Sequence, residues 1–136
     1  MLDALHAINY FHLVIVGIIG FAFGSLWYTV LFGKTWAAEM KISPEAPKEP
    51  MAPYMIKGFI FTLISTWGLA LLIVSHGTNQ GCRGAAFGAV VGLLVVGARK
   101  LNSGVREKAS CKLQAINLAH EVLLFAIQGA ILAVWH

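Results

Sequence analysis

Five polar side chains interrupt an apolar stretch near the end of this 136-residue chain: Gln114, Asn117, His120, Glu121 and Gln128. From Gln114 to Asn117, Glu121 and Gln128 the steps are three, four and seven residues. At 100° per residue these four side chains share one face of a helix, with His120 just beside it. A carboxyl group inside a membrane-spanning helix costs something like 3 kcal/mol on insertion scales, and its place there calls for a function or a partner. Glu121 lies about two turns in from Leu113, too deep to reach the headgroups. The chemistry such a group offers is proton or cation binding, with Glu121 as the titrating acid and His120 tuning it. The plainer reading is a polar clasp that holds the helix in register, or a buried contact with another subunit. Partners within reach on other helices would be Thr62, Ser65 and Thr66, or His12 and Ser25.

Other arrangements fail on spacing. Gly33-Lys34-Thr35 imitates the end of a phosphate-binding loop, but the glycine required five positions earlier is Tyr28. His120-Glu121 lacks the second histidine of a zinc-protease helix, since position 124 is leucine. His6 and His12, six apart, point about 240° from one another around a helix. Ser25 and Ser65 have no recognisable triad context. Haem ligation by His12, His76 or His120 stays open, against hydrogen-bonded structural histidines. No catalytic set, metal site or cofactor is therefore expected.

The elements that must carry this stripe follow from composition. Hydrophobic residues make up 58% of the chain and charged residues 12%, with mean hydropathy +0.75. A soluble domain carries about 25% charged residues, so a water-soluble globule is excluded. Disorder, which needs low hydrophobicity and high net charge, is excluded as well. Apolar windows mark four helices, over 10–32, 58–76, 82–101 (charge-free from 84 to 98 and extended past the flanking charges) and 113–135 (broken only by Glu121), each near the ~20 residues that span a bilayer. In lipid every backbone group must be satisfied internally, and these continuous apolar runs do not alternate as barrel strands would. The expected fold is one all-α domain, an integral membrane four-helix bundle over 1–136.

Nine of the ten Lys and Arg fall in the first and third loops, and Arg83 alone in the second. The positive-inside rule puts both basic loops in the cytoplasm or an organelle interior and both termini opposite. The net charge of +4 then reports orientation, and no nucleic-acid partner is expected. The N-terminus has no Lys or Arg before the first apolar run, so no cleavable presequence is expected. In the loop 43–54, Pro44, Pro47, Pro50 and Pro53 recur every three residues. In a polyproline II strut all four rings would line one edge, as a stiff spacer or a docking ligand. The short link 76–81 predicts an antiparallel hairpin of helices two and three.

Gly84, Gly88 and Gly92 recur at four residues and leave one face of helix three without side chains, a groove for close backbone packing. It serves either a seam inside the bundle or an interface between subunits. Trp27, Tyr28, Lys34 and Trp36 at the end of helix one, and Trp135 at the end of helix four, suit the headgroup layers as interface anchors. A ligand pocket built from Trp27 and Tyr28 is the alternative.

The run Trp27-Tyr28-Thr29-Val30-Leu31-Phe32-Gly33-Lys34-Thr35-Trp36 resembles the first motif of a family of small four-helix membrane proteins, domain of unknown function 1761. Asn117-Leu118-Ala119-His120 and Gly129-Ala130-Ile131-Leu132-Ala133-Val134-Trp135 are similar to its closing segment. The resemblance implies the four-helix fold and carries no activity with it.

Together these residues lead to a non-enzymatic polytopic protein of a plasma, inner or organelle membrane. It would act as an accessory or assembly subunit of a larger membrane complex or as a homo-oligomer. Its partners are then the lipid bilayer and other membrane subunits or itself. The alternative is a small oligomeric ion-coupled transporter using Glu121 and His120. The topology makes a direct prediction: in sealed vesicles, a membrane-impermeant thiol reagent modifies only one of Cys82 and Cys111 from a given side. Labelling of both from the same side contradicts four spans.

Overall fold

A computed structural model describes every residue except 1, 44, 46, 48 and 136. The described residues form helices and no strands. Four helices are long and apolar enough to cross a membrane: α2 (Tyr10–Leu31), α4 (Met51–His76), α5 (Gly81–Arg106) and α6 (Cys111–Val134). Two short ones, α1 (Leu2–Ala7) and α3 (Gly33–Glu39), precede α2 and follow it.

The boundaries follow from local chemistry. Asn9 caps α2, its side chain accepting from Phe11 N and His12 N at 3.1 and 3.3 Å, which satisfies two of the N–H groups that a helix start leaves over. Ser110 caps α6 in the same way, accepting from Leu113 N at 3.1 Å, and its hydroxyl also donates to the Glu39 carboxylate at the end of α3. Gly77 ends α4 with φ of 70°, a left-handed conformation that glycine adopts without a Cβ clash.

Three expected boundaries move. Helix two starts at Met51 rather than at 58, helix three runs on to Arg106, and helix four starts at Cys111. Pro50 is the N-cap of α4 and Pro53 lies in its first turn, where no N–H is needed and proline is tolerated. The four prolines therefore do not line one extended strut: Pro53 is helical, and Pro44 lies outside the described residues. Arg106 belongs to α5 rather than to a loop, and Arg99 and Lys100, counted with the third basic loop, lie within the helix rather than at its end.

Packing centres on α6. It buries 44% of its apolar window, against 22–28% for the other three spans, so it is the helix that the others surround. Val16, Leu69, Ile73, Leu124, Phe125 and Leu132 meet in the core between α2, α4 and α6. The link between α4 and α5 is short, as expected, and the His76 ring stacks on Phe87 at 5.3 Å. The long packing seam of α5, however, runs along α6.

That seam is the glycine groove, filled from within the chain. A Cβ placed on Gly84 would lie 2.2 Å from the Gly129 carbonyl oxygen, one on Gly88 1.9 Å from that of Phe125, and one on Gly92 2.8 Å from that of Glu121. Each four-residue step up α5 is matched by four down α6, the register of an antiparallel pair in backbone contact. Gly129, on the α6 side, completes it: a Cβ there would meet the Gly84 carbonyl oxygen at 2.3 Å.

Beyond Gly92 the helix widens into a π-helical segment, Gly92–Gly97, which absorbs one extra residue. Counted from Gly92, Lys100 would otherwise sit about 80° off the groove face, and the extra residue returns it to within about 20°. Gly104 is re-phased likewise, and a Cβ there would meet the Gln114 side chain at 3.1 Å. Gly88→Leu should abolish the folded monomer, costing about 3 kcal/mol or more, because backbone atoms block the new side chain. Gly68→Ala, with nothing within 4 Å, should raise stability by up to about 1 kcal/mol. Thermal melts of both variants in detergent check this pair, and a folded Gly88→Leu monomer contradicts the seam.

Candidate functional site

The predicted stripe divides among different neighbours. Gln114 donates to the Ala109 carbonyl at 3.0 Å and packs on Gly104. Asn117 accepts from the Tyr28 hydroxyl at 3.0 Å. Gln128, fully buried, donates to Thr66 Oγ1 at 2.8 Å and points the same amide at the Val16 carbonyl at 3.5 Å. Thr66 in turn donates to the Thr62 carbonyl at 2.7 Å. This amide ties α2, α4 and α6 together within about two turns of the end of α6.

His120 and Glu121 form a different group. Glu121 Oε1 accepts from Lys100 Nζ of α5 and lies 3.2 Å from Nδ1 of His120. Four of the five partners expected for the acid are otherwise engaged: Thr66 holds Gln128, Thr62 and Ser65 donate to carbonyls of their own helix, and His12 meets the Trp135 carbonyl. The counter-charge comes instead from Lys100, which sequence reading assigned to a basic loop. The signal for it was present in the glycine spacing, four and four and then five from Gly92 to Gly97, which is the step of a π turn rather than an α turn.

The burial of the three groups is graded. The Glu121 and His120 side chains are 9% and 8% exposed, and that of Lys100 is 43% exposed. A lysine stem lying along apolar surface with its ammonium toward water is the usual way such a charge is carried near a helix end. Here the ammonium also neutralises an acid that would otherwise be isolated in a medium of low dielectric.

The aromatic residues at the end of α2 surround the imidazole. Phe23 stacks on His120 with centroids 5.6 Å apart, Tyr28 approaches to 4.8 Å and Trp27 to 6.0 Å. Trp27 is 7% exposed and packs under Phe32 at 4.6 Å. Trp27 is therefore turned into the bundle rather than outward, and Tyr28 is half-buried on Asn117. The cause is local: a second π-helical turn, Trp27–Leu31, closed by Phe32 N donating to the Trp27 carbonyl at 2.9 Å. Trp36 on α3 meets Tyr28 edge-on at 5.8 Å. Lys34 is exposed. Trp135 stacks on His12 at 4.1 Å near the far end and keeps 39% exposure.

Two clefts flank this wall and share Tyr28 and Trp36. The first, about 460 Å³, has a mixed lining that includes the polar side chains of Lys100, Gln114, Asn117 and Glu107. The second, about 470 Å³, lies between α2 and α4 and is largely apolar, with His120 and Leu124 on its floor. Both fall in the size range of small-molecule sites. Cys82 and Cys111 are free and exposed, and among the described residues no three His, Cys, Asp or Glu side chains converge as a metal site would need.

The ion pair has a measurable energetic consequence. Lys100→Met strands a buried carboxylate, and allowing for the exposure of Lys100 it should cost about 2 kcal/mol. Adding Glu121→Gln removes the stranded charge, so the double variant should be more stable than Lys100→Met alone. A strictly additive cycle in detergent unfolding contradicts the pair.

Searches of curated proteins and of solved structures return no match. The family model described as a protein of unknown function, DUF1761, matches residues 12–133. The matched span takes in both π turns, the aromatic wall and the Lys100–Glu121–His120 group. The chain belongs to the DUF1761 family.

Proposed function

We propose that this protein is a non-enzymatic, ion-coupled membrane carrier in which a proton or cation is exchanged at Glu121. The observation that supports this reading best is the chain of contacts from partly exposed Lys100 through buried Glu121 to buried His120. An acid at this depth is costly unless it is used. A lysine reaching toward the basic end gives it a connection to water, and that lysine lines the first cleft beside Gln114, Asn117 and Glu107. Toward the opposite end, buried Leu124 and Phe125 stand between Glu121 and the Gln128 clasp. Exchange would then proceed from one side at a time, as a carrier requires. Four helices are few for a complete pathway, so the working unit in this reading includes a second copy of the chain.

A second reading, an accessory subunit of a larger assembly, draws on α4. Its 26 residues measure about 39 Å, longer than a hydrocarbon core of about 30 Å. Its first turns expose Met51, Tyr54, Met55 and Ile56, an apolar end that a protein neighbour would cover. The glycine groove no longer argues for that reading, because α6 fills it.

Charge displacement on a pH jump, recorded from proteoliposomes on a solid-supported membrane, tests the carrier reading without knowledge of the cargo. The wild type should give a transient current that Glu121→Gln removes and Lys34→Gln leaves intact. Equal currents from wild type and Glu121→Gln, or none from either, overturn it. In that event, co-migration of the untagged protein with a large complex would favour the accessory role.

A further inference from the structure

The two ring nitrogens of His120 face different surroundings. Nδ1 faces Glu121 Oε1, which also receives the Lys100 ammonium. A carboxylate only accepts, so the hydrogen-bond network assigns the ring proton to Nδ1. In the neutral ring Nε2 is then a lone pair. That atom is buried without a hydrogen-bond partner among the described residues, in a residue only 6% exposed. An unpaired polar atom in such a place calls for an explanation.

The neighbour that would cover Nε2 is a glycine. A Cβ built on Gly24 would lie 3.3 Å from Nε2, the shortest contact it would make. Gly24 and His120 both line the second cleft, together with Gly20, Phe21, Gly58 and Thr62. With no side chain at position 24, Nε2 lies buried just beneath the floor of a space of about 470 Å³ walled by apolar and aromatic groups. The space lies between two helices that face lipid elsewhere along their length: Ile18, Ile19, Ile60 and Phe61 are exposed on either side of it.

We propose that this cleft binds a lipid-soluble molecule with an aromatic or apolar body and one hydroxyl group, which enters between α2 and α4, shifts α2 outward at Gly24 by a small amount and donates its O–H to His120 Nε2. The chemistry is selective. An ether or hydrocarbon of equal size leaves the lone pair unsatisfied, and a site built around one buried hydrogen bond discriminates strongly against a ligand that lacks it. An anion is disfavoured by a lone pair and an apolar wall. The inference rests on the same centre as the carrier reading and names the class of its cargo, since the ring that holds the hydroxyl is coupled through Nδ1 to Glu121.

The test uses the full chain in nanodiscs, ¹⁵N-labelled at histidine, with 4-hexylphenol and its methyl ether, 4-hexylanisole, as probes and empty discs to subtract partitioning. The phenol should bind saturably, shift the Nε2 resonance that His120→Gln removes, and bind about tenfold or more tighter than the ether. Gly24→Val, which covers Nε2, should lower phenol affinity by about tenfold or more. Gly58→Val narrows the cleft from the α4 side without touching α6 and should weaken binding in a protein that keeps its fold. Equal binding of phenol and ether, no saturable binding of the phenol, or saturable binding that folded Gly58→Val leaves unchanged overturns the proposal. A wild type that binds the phenol but gives no charge displacement upholds this site and overturns the carrier reading alone.

Discussion

Apolar side chains gain nothing from leaving lipid for one another, so helices in a bilayer are held by how closely their backbones can approach. Between α5 and α6 the approach is limited by carbonyl oxygens rather than side chains, because Gly84, Gly88, Gly92 and Gly129 carry none. Such contact fixes sliding and rotation together, since a shift of one residue would drive a side chain into backbone. The register it sets opposes Gly92 to the Glu121 carbonyl. The π-helical segment from Gly92 then turns the next two turns of α5 so that Lys100 comes down beside the same glutamate. Without the glycines the helices would stand further apart, and without the extra residue Lys100 would face away.

The centre that results has two chemically distinct sides. On one, Glu121 and Lys100 place charge next to Nδ1 of His120. On the other, aromatic rings from the widened end of α2 enclose the imidazole and leave Nε2 to an apolar cleft. Helix α6 can serve both because it is surrounded: adjacent residues 120 and 121 face α2 and α5 respectively, while Gln128, two turns on, ties α2 and α4 together. The short helix α3 adds to this by bonding Glu39 to the capping Ser110, which joins the end of the first span to the start of the last. Local departures from regular helix sit where α2 and α5 meet the His120–Glu121 pair, the kind of place where π turns are retained for function.

Hydropathy and charge sufficed for the number of spans, and three-and-four spacing sufficed for the polar stripe, because both depend on periodicity along one helix. The pairing of Glu121 with Lys100 was not readable in that way. A lysine eight residues beyond Gly92 falls off the groove face in a regular helix, and only the five-residue step to Gly97 hinted that this helix is not regular. The inward turn of Trp27 and Tyr28 was not readable for a related reason. Their amphipathic rings suit a headgroup layer, and composition alone does not show that a widened turn directs them at His120. Proline spacing misled as well, because Pro50 and Pro53 suit a helix start as readily as a strut. Gly129 went unnoticed because its partner glycines lie on another helix.

The contact between Lys100 and Glu121 across the α5–α6 seam joins the glycine register to the buried centre. Rotational-echo solid-state NMR on protein in lipid bilayers, ¹⁵N-labelled at lysine Nζ and ¹³C-labelled at glutamate Cδ, measures it directly, with Lys100→Met identifying the pair. The account predicts strong dephasing at a separation of about 4 Å or less, as a hydrogen-bonded ion pair requires. A Glu121 carboxyl with no lysine nitrogen at that distance would contradict the register, the centre and the functions built on it.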